Sequence, residues 1–234
     1  MKKKLLFILA VALIATNSFS QKLDKFTTDL GKKSVMGKEV RVPYTDLISY
    51  YGYIAQGAKP DEMRDGKKFY YLYLWISVAA PEVGVRMISP VPDKMVPEET
   101  DFKGSDYDQN KTDKTSYFDT WITLEKASGI TSIEEISSKA SGAKWNSYEQ
   151  NDDSGEMPAQ PSGSKYNSLM RITSSTSDPL KSLTIGLYRI GFTTYKTGEV
   201  QGSFLAQVGS PVKIPGVMIA KDIETLVKML TEKK

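Results

Sequence analysis

The sequence predicts an all-β protein, an antiparallel β-sandwich. Apolar and polar residues alternate with a period of two over much of the chain, which is the period of a β-strand. Turn-forming residues bound each alternating stretch, and the connections between stretches vary in length. Residues 21–234 have the length of one β-sandwich domain, and no internal repeat is visible.

Seven stretches carry this alternation and are predicted as strands. They are Leu47–Ile54, Phe69–Val78, Gly84–Ser89, Tyr117–Glu125, Ser168–Ile172, Ile185–Tyr195 and Glu199–Val208. Phe69–Val78 is apolar on both faces, so it should lie between two layers or have one face covered by a helix or a long loop. Thr197-Gly198 predicts a hairpin turn between the last two strands. Phe192 and Phe204 should then face the same core.

Two helices are predicted outside the strands. Thr131-Ser132 followed by Glu134-Glu135 resembles a capping box and predicts a short helix that ends near Lys139. The apolar spacing within Lys221–Thr231 predicts an amphipathic helix at the C-terminal end of the chain. We expect this helix to pack on the sandwich, and a partner-binding or membrane-lying helix is the alternative.

The first twenty residues have the layout of a secretory signal peptide. Three lysines, Lys2–Lys4, precede the apolar stretch Leu5–Ala15, and Ser18-Phe19-Ser20 follows a short polar segment. The apolar stretch is shorter than the roughly 18 residues that a membrane-spanning helix needs. We therefore expect residues 1–20 to be removed by cleavage after Ser20, the protein to be exported, and no transmembrane helix to be present.

Composition excludes several classes of function. The chain contains no cysteine and no histidine, which removes thiol nucleophiles, Ser-His-Asp triads and the usual zinc ligands. Loss of the three signal lysines brings the formal net charge of +3 close to zero, so nucleic acid is not an expected partner. Sugar hydrolysis needs only two carboxylates, but no pair stands out among the 28 acidic residues. We expect a protein that is not an enzyme.

Two long polar segments, Pro90–Ser116 and Ser141–Ser164, are predicted as irregular loops. The second contains the acidic cluster Glu149, Asp152, Asp153 and Glu156. Carboxylates, hydroxyls and backbone carbonyls are the ligands that calcium prefers, but the spacing is not that of an EF-hand. Taken by itself, a solvated acidic turn is the simpler interpretation of this segment.

A series of aromatic-rich blocks identifies a family resemblance that covers about Ser49 to Val217. The blocks are Tyr50–Tyr53, Tyr70–Tyr73, Gly84–Pro90, Phe118–Ile122, Lys165–Leu169, Gly186–Ile190, Phe192–Lys196, Gly198–Val200 and Ile214–Val217. In this order they resemble the major surface lipoprotein of Leptospira, the hemolysis-associated protein family, and its marine bacterial relatives. The resemblance implies a jelly-roll β-sandwich with a few peripheral helices.

The resemblance also implies a bound calcium ion. Its ligands would be Asp119 and Thr120 on a strand, Asp152 and Asp153 in the acidic loop, and the backbone oxygen of Tyr166 just after that loop. Neighbouring residues of an ideal strand point to opposite faces. Asp119 and Thr120 can therefore share an ion only at a strand end or bulge, or through the backbone carbonyl of Thr120.

The resemblance implies a calcium-binding envelope or surface protein that adheres to extracellular matrix proteins or other surface macromolecules. Members of the family carry a lipidated cysteine after the signal, whereas this chain has none, so we expect a non-lipidated homologue. It would be periplasmic, held at the outer membrane or cell surface, or secreted. A homo-oligomer is left open.

Two alternatives remain from the sequence. One is a calcium-dependent carbohydrate-binding module, in which exposed aromatic rings stack on sugars. The candidate rings are Tyr51, Tyr53, Tyr73 and Trp121, and two coplanar exposed rings beside a groove would favour this function. The other alternative is a structural periplasmic protein with no ligand beyond the ion.

Overall fold

The computed structural model of the chain describes residues 26–196 and 198–232, so the predicted signal peptide lies outside the described residues. Thirteen strands and three short α-helices are present among them. The strands are β1 (Lys33–Val35), β2 (Lys38–Val40), β3 (Asp46–Ile54), β4 (Glu62–Arg64), β5 (Lys67–Ile76), β6 (Glu82–Ile88), β7 (Phe102–Lys103), β8 (Thr120–Ala127), β9 (Trp145–Asn151), β10 (Ser168–Thr173), β11 (Gly186–Thr194), β12 (Gly202–Ser210) and β13 (Met218–Ala220). The helices are α1 (Tyr107–Asn110), α2 (Ile133–Lys139) and α3 (Ile223–Glu232).

Two sheets form the sandwich. One has the strand order β10-β6-β12-β3-β7, and the other has the order β13-β5-β11-β8-β9 with β4 paired to β5. Neighbouring strands are antiparallel except β3 and β7, which are parallel. The predicted all-β class is confirmed. The jelly-roll assignment stays a prediction that depends on the family resemblance.

Aromatic side chains fill the space between the sheets. Phe192 of one sheet and Phe204 of the other meet with ring centroids 4.8 Å apart, and both rings are almost fully buried. Tyr70 stacks on Phe192 with ring centroids 5.8 Å apart, and Tyr50 stacks on Phe204 with ring centroids 6.2 Å apart. The prediction that Phe192 and Phe204 face one core is confirmed. Each ring of this size removes about 150–250 Å² from water, so the cluster accounts for much of the stability.

The second sheet is buried on both faces, as the two-sided apolar pattern of β5 predicts. Leu72 and Leu74 point into the space between the sheets, whereas Trp75 packs in a second cluster against the helices. Leu226 and Leu230 supply the apolar face of α3 to that second cluster. Both predicted helices are confirmed, and they cover the outer face of the β5 sheet.

The predicted hairpin at Thr197-Gly198 is wrong. Strand β11 pairs with β5 and β8, whereas β12 pairs with β3 and β6 in the other sheet. The chain crosses between the sheets here, and β12 begins only at Gly202, which has a φ of +100°. A Cβ atom at Gly202 would lie 1.9 Å from the carbonyl oxygen of Ser116. Thr197 itself lies outside the described residues.

Several short or polar strands depart from the prediction. Ser141–Ser164, predicted as an irregular loop, contains β9, whose exposed polar residues hide the alternation. Pro90–Ser116 likewise contains β7 and α1. Strands β1, β2, β4 and β13 have three residues each, too few for a period to show. In the part of the chain that the structure describes, no helix is both long and apolar enough to cross a bilayer.

Candidate functional site

The candidate site lies where β8 begins. Asp119 immediately precedes Thr120, the first residue of β8, and its backbone carbonyl accepts a hydrogen bond from the amide of Tyr195 at 3.3 Å. Thr120 is fully buried, whereas Asp119 is half-buried. The two residues therefore lie at a strand end, where neighbouring side chains need not point to opposite faces of the sheet.

Thr120 is joined directly to Tyr166. The backbone amide of Thr120 donates to the carbonyl oxygen of Tyr166 at 3.0 Å, and the Thr120 hydroxyl lies 3.3 Å from the same oxygen. The amide of Ser168 donates to the Thr120 hydroxyl at 2.8 Å. The carbonyl of Tyr166 and the hydroxyl of Thr120 thus form one pair of adjacent neutral oxygens at the start of β8.

The end of β9 is fixed to the same place. The side-chain oxygen of Asn151, the last residue of β9, accepts from the amide of Leu169 at 3.0 Å. The carbonyl oxygen of Asp152 lies 2.9 Å from the hydroxyl of Ser168, which also contacts the carbonyl of Thr120. These contacts bring Asp152 and the adjacent Asp153 to the start of β8, although they are 32 or more residues away in sequence.

The carboxylate of Asp119 is poorly stabilised by its surroundings. Its Oδ1 atom is buried and has no hydrogen-bond partner among the described residues. The pKa of Asp119 is raised to about 6, mainly by burial and then by the negative charges of Asp153 and Asp152, against the smaller effects of Lys196 and Lys67. The pKa of Asp153 is also raised, first by burial and then by Asp152. Three carboxylates are therefore close enough to destabilise one another.

Glu156, in the same acidic segment, is in the opposite situation. Its carboxylate binds Arg171 at 2.8 Å and Arg41 at 3.0 Å. The hydrogen bond from Arg171 is the main reason that the pKa of Glu156 is lowered. The charge of Glu156 is already balanced, so it is not available to a cation in the way that Asp119 is.

A hard cation at this place would need neutral oxygens as ligands in addition to carboxylates. Within residues 26–196 and 198–232, no group of three or more acidic side chains is placed to hold a metal ion. Calcium takes six to eight oxygens, and backbone carbonyls and hydroxyls supply many of them in known sites. The buried Oδ1 atom of Asp119, which has no hydrogen-bond partner among the described residues, and the nearby charges of Asp153 and Asp152 are the features that favour such an ion.

Comparison with known families decides what kind of protein carries this site. The family described as surface lipoprotein of the Spirochaetales order, Lipl32, matches residues 38–219, which is most of the chain. The chain belongs to this family. No curated protein matches it. Membership of the family identifies an exported protein of the cell surface.

Two residues of this family member escape prediction from the sequence. Ser168 and Asn151 hold the ends of β10, β8 and β9 together but carry no charge and match no metal-binding motif. Their position is the signal in the sequence, since Ser168 lies inside the block Lys165–Leu169 and Asn151 directly precedes Asp152 of the acidic cluster. Their role depends on contacts between residues 16 to 48 positions apart.

The rings proposed as a sugar-stacking platform do not form one. Tyr51 is only 2% exposed and packs against Tyr107. Tyr73 packs against Trp145 under the helices. Trp121 is half-buried and meets Tyr195 at an interplanar angle of 53°, which is not coplanar. Tyr53, the fourth candidate, is half-buried and its hydroxyl donates to Asp113 at 3.1 Å.

Proposed function

We propose that this exported surface protein is a non-enzymatic calcium-binding adhesin. The ion would be held by the carboxylates of Asp119, Asp152 and Asp153, the hydroxyl of Thr120 and the carbonyl of Tyr166. The observation that carries the proposal is the buried Oδ1 atom of Asp119, which has no hydrogen-bond partner among the described residues and lies in the field of two further carboxylates. A buried acceptor without a partner costs about 1–3 kcal/mol, and a cation would remove that cost.

Calcium is the ion that the donor set favours. All donors are oxygen atoms, and a chain without histidine or cysteine offers no nitrogen or sulfur ligand of the kind that zinc and copper prefer. The segment after β9 is irregular, which suits the variable geometry of calcium better than the strict octahedron of magnesium. When bound, the ion would supply two positive charges against three carboxylates.

Adhesion is proposed through the segment that connects β9 to β10. About half of the residues of this segment are exposed, and Asp153 and Tyr166 are among them. An ion that ties the segment to the start of β8 would order it before a partner arrives, so less conformational entropy would be lost on binding. Extracellular matrix proteins are the proposed partners, supported by the resemblance to the Leptospira member. A purely structural periplasmic role remains the alternative.

The non-lipidated state is part of the same proposal. The lipid of a lipoprotein is attached to a cysteine, and the 234 residues contain none. We expect the protein to be recovered in the periplasmic or culture-supernatant fraction without detergent. Recovery only from detergent-extracted membranes would contradict this part of the proposal and leave the calcium site unaffected.

The calcium site is tested by Asp119→Asn, which keeps the shape of the side chain and removes its charge. For a Kd on the order of 10⁻⁴ M, 10 mM calcium should stabilise the wild type by about 2.7 kcal/mol, or roughly 5–10 °C in Tm for a chain of this length. Magnesium should have a smaller effect. We expect the variant to lose most of the calcium-dependent rise in Tm and the calcium binding measured by calorimetry.

Asp65→Asn is the matched control. Asp65 is exposed and has a φ of +50°, a left-handed conformation that asparagine tolerates well. The control should respond to calcium as the wild type does. An equal calcium response in Asp119→Asn and Asp65→Asn would reject the site. Plate binding to immobilised collagen, laminin and fibronectin with calcium or a chelator then tests adhesion separately.

A further inference from the structure

A second candidate site lies at the opposite lateral edge of the sandwich. The sheets end at β9 and β10 on the side of the acidic site and at β13 and β7 on the other side. Between β3, β7, β13 and the start of α3 lies a cavity of about 530 Å³. Its floor includes Tyr70 and Phe204 of the buried aromatic cluster, so it reaches from solvent to the core.

Tyr50 lines this cavity, and its hydroxyl has no hydrogen-bond partner in the described part of the chain. The side chain is 95% buried, since its exposed fraction is 5%, and its ring stacks on Phe204. Its hydroxyl makes no hydrogen bond to any described residue, unlike the hydroxyls of Tyr70 and Tyr53, which bind Ala58 and Asp113. Burial, followed by the charges of Asp222 and Asp106, raises the pKa of Tyr50 to about 12, so the hydroxyl keeps its proton and is a donor at neutral pH.

Hydrogen-bond acceptors and a further donor line the same cavity. Asp106 accepts one bond from Ser105 through Oδ1, and its other carboxylate oxygen has no partner among the described residues. Lys59 is exposed and forms no ion pair with the described residues. The residues that line the cavity thus include a phenol donor, an ammonium donor and a carboxylate acceptor, together with the aromatic rings of Tyr70 and Phe204.

The charges of the lining residues balance. Its acidic residues are Asp61, Asp106 and Asp222, and its basic residues are Lys59, Lys103 and Lys221. Asp61 and Lys221 neutralise each other directly at 2.6 Å, and Lys103 is paired with Asp108 at 2.7 Å. A strongly charged ligand of either sign would be repelled by a lining residue of the same sign, an anion by Asp106 and Asp222 and a cation by Lys59. The lining therefore favours a neutral ligand that both donates and accepts hydrogen bonds.

We propose that this cavity is a binding site for a neutral saccharide unit. Sugar hydroxyls can accept from Tyr50 and Lys59 while donating to Asp106, and the apolar face of a pyranose ring suits the aromatic floor. The site is distinct from the rings considered as a stacking platform, because the sugar would enter between the sheets and not lie on an outer surface. It is independent of calcium, since none of its lining residues belongs to the acidic site.

The test uses the mature chain and saturation-transfer difference NMR. The probes are glucose, galactose, mannose, N-acetylglucosamine and maltose, with glucuronate and glucosamine as charged comparisons. We expect at least one neutral probe to bind more tightly than its charged counterpart. Tyr50→Phe keeps the ring and removes the hydroxyl, so its Kd for that probe should rise about two- to tenfold.

Two further variants make the result decisive. Gly104→Val should block binding, because a Cβ at Gly104 would already lie 3.1 Å from the hydroxyl of Tyr50. Tyr195→Phe removes a half-exposed hydroxyl away from the cavity and should bind as the wild type does. Circular dichroism and Tm confirm that each variant is folded. The proposal is overturned by a failure of all neutral probes to bind, by tighter binding of the charged ones, or by binding that Tyr50→Phe and Gly104→Val leave unchanged.

The same titrations with a chelator and with Asp119→Asn separate the two sites. We expect saccharide binding to persist in both cases. Loss of saccharide binding on calcium removal would contradict the independence of the cavity, and it would not by itself count against the calcium site.

Discussion

At the residue scale, the carboxylates around the candidate site differ in the partners that they have. Glu156 sits between two arginines and has a lowered pKa. Asp119 has an orphan oxygen, two acidic neighbours and a raised pKa. Glu156 lies in the acidic loop and Asp119 in a predicted strand, yet only Asp119 carries a cost that a bound cation would relieve. The electrostatic imbalance, more than the number of acids, marks the candidate site.

This imbalance predicts how stability depends on pH without calcium. The pKa of Asp119 is about 6 in the folded protein against an ordinary value of 3.8. Between these pH values the folded protein holds a proton that the unfolded chain has released, so the contribution of Asp119 to stability falls as pH rises and is lowest above about 6. Metal-free Asp119→Asn should therefore unfold at a higher temperature than metal-free wild type at pH 7.5.

We expect this gain in Tm to be about 2–4 °C, which corresponds to ~1 kcal/mol for a chain of this length, and to shrink at pH 4. Thermal unfolding in a chelator at the two pH values measures it. A metal-free variant that is less stable than the wild type at both pH values would show that Asp119 acts as a structural acceptor. Calcium should reverse the order of the two proteins at pH 7.5.

Most of the candidate residues could be named from the sequence, but their surroundings could not. Asp119, Thr120 and Tyr166 lie in blocks that the family resemblance marks, and that resemblance is what implies their roles as calcium ligands. The partners of Glu156 could not be predicted, because Arg41 is 115 residues away in sequence. The connecting role of Ser168 is equally invisible, since a serine forms hydrogen bonds in most environments.

At the element scale, the sequence predicts the central strands better than their pairing. Strands β5, β11 and β3 carry long apolar patterns, and their predicted and observed ranges nearly coincide. Edge strands such as β9 have one exposed face and polar residues on it, so no contrast marks them. Pairing depends on contacts far apart in sequence, which is why β11 and β12 share a core but belong to different sheets.

Gly202 is required where the chain crosses between the sheets, and replacing it should lower the stability of the protein. It combines a φ of +100° with a backbone contact that leaves no room for a Cβ atom. Gly202→Ala should therefore destabilise the protein by about 3 kcal/mol or more, or roughly 6–12 °C in Tm. Gly142→Ala is the control, because a Cβ there meets nothing within 4 Å and it should change stability by less than about 0.5 kcal/mol. Equal effects of the two variants would mean that the crossover tolerates a side chain.

At the scale of the whole molecule, the two lateral edges of the sandwich are built differently. At one edge, Ser168 and Asn151 connect the ends of β8, β9 and β10, which belong to both sheets. At the other edge, β3 and β13 leave the cavity that Tyr50 lines. A cation at the first edge would act as an additional link between the sheets, while the second edge stays open to a ligand.

This difference predicts where calcium changes the dynamics of the protein. Removing calcium should speed amide hydrogen exchange at the start of β8, the end of β9 and residues 152–167, because these segments share the proposed ion. Exchange in β7, β13 and α3 should stay unchanged, since those elements border the other edge. Hydrogen-exchange mass spectrometry with calcium and with a chelator measures both regions in one experiment. Asp119→Asn should exchange like the calcium-free wild type under both conditions, and a calcium effect spread evenly over both edges would contradict a single local site.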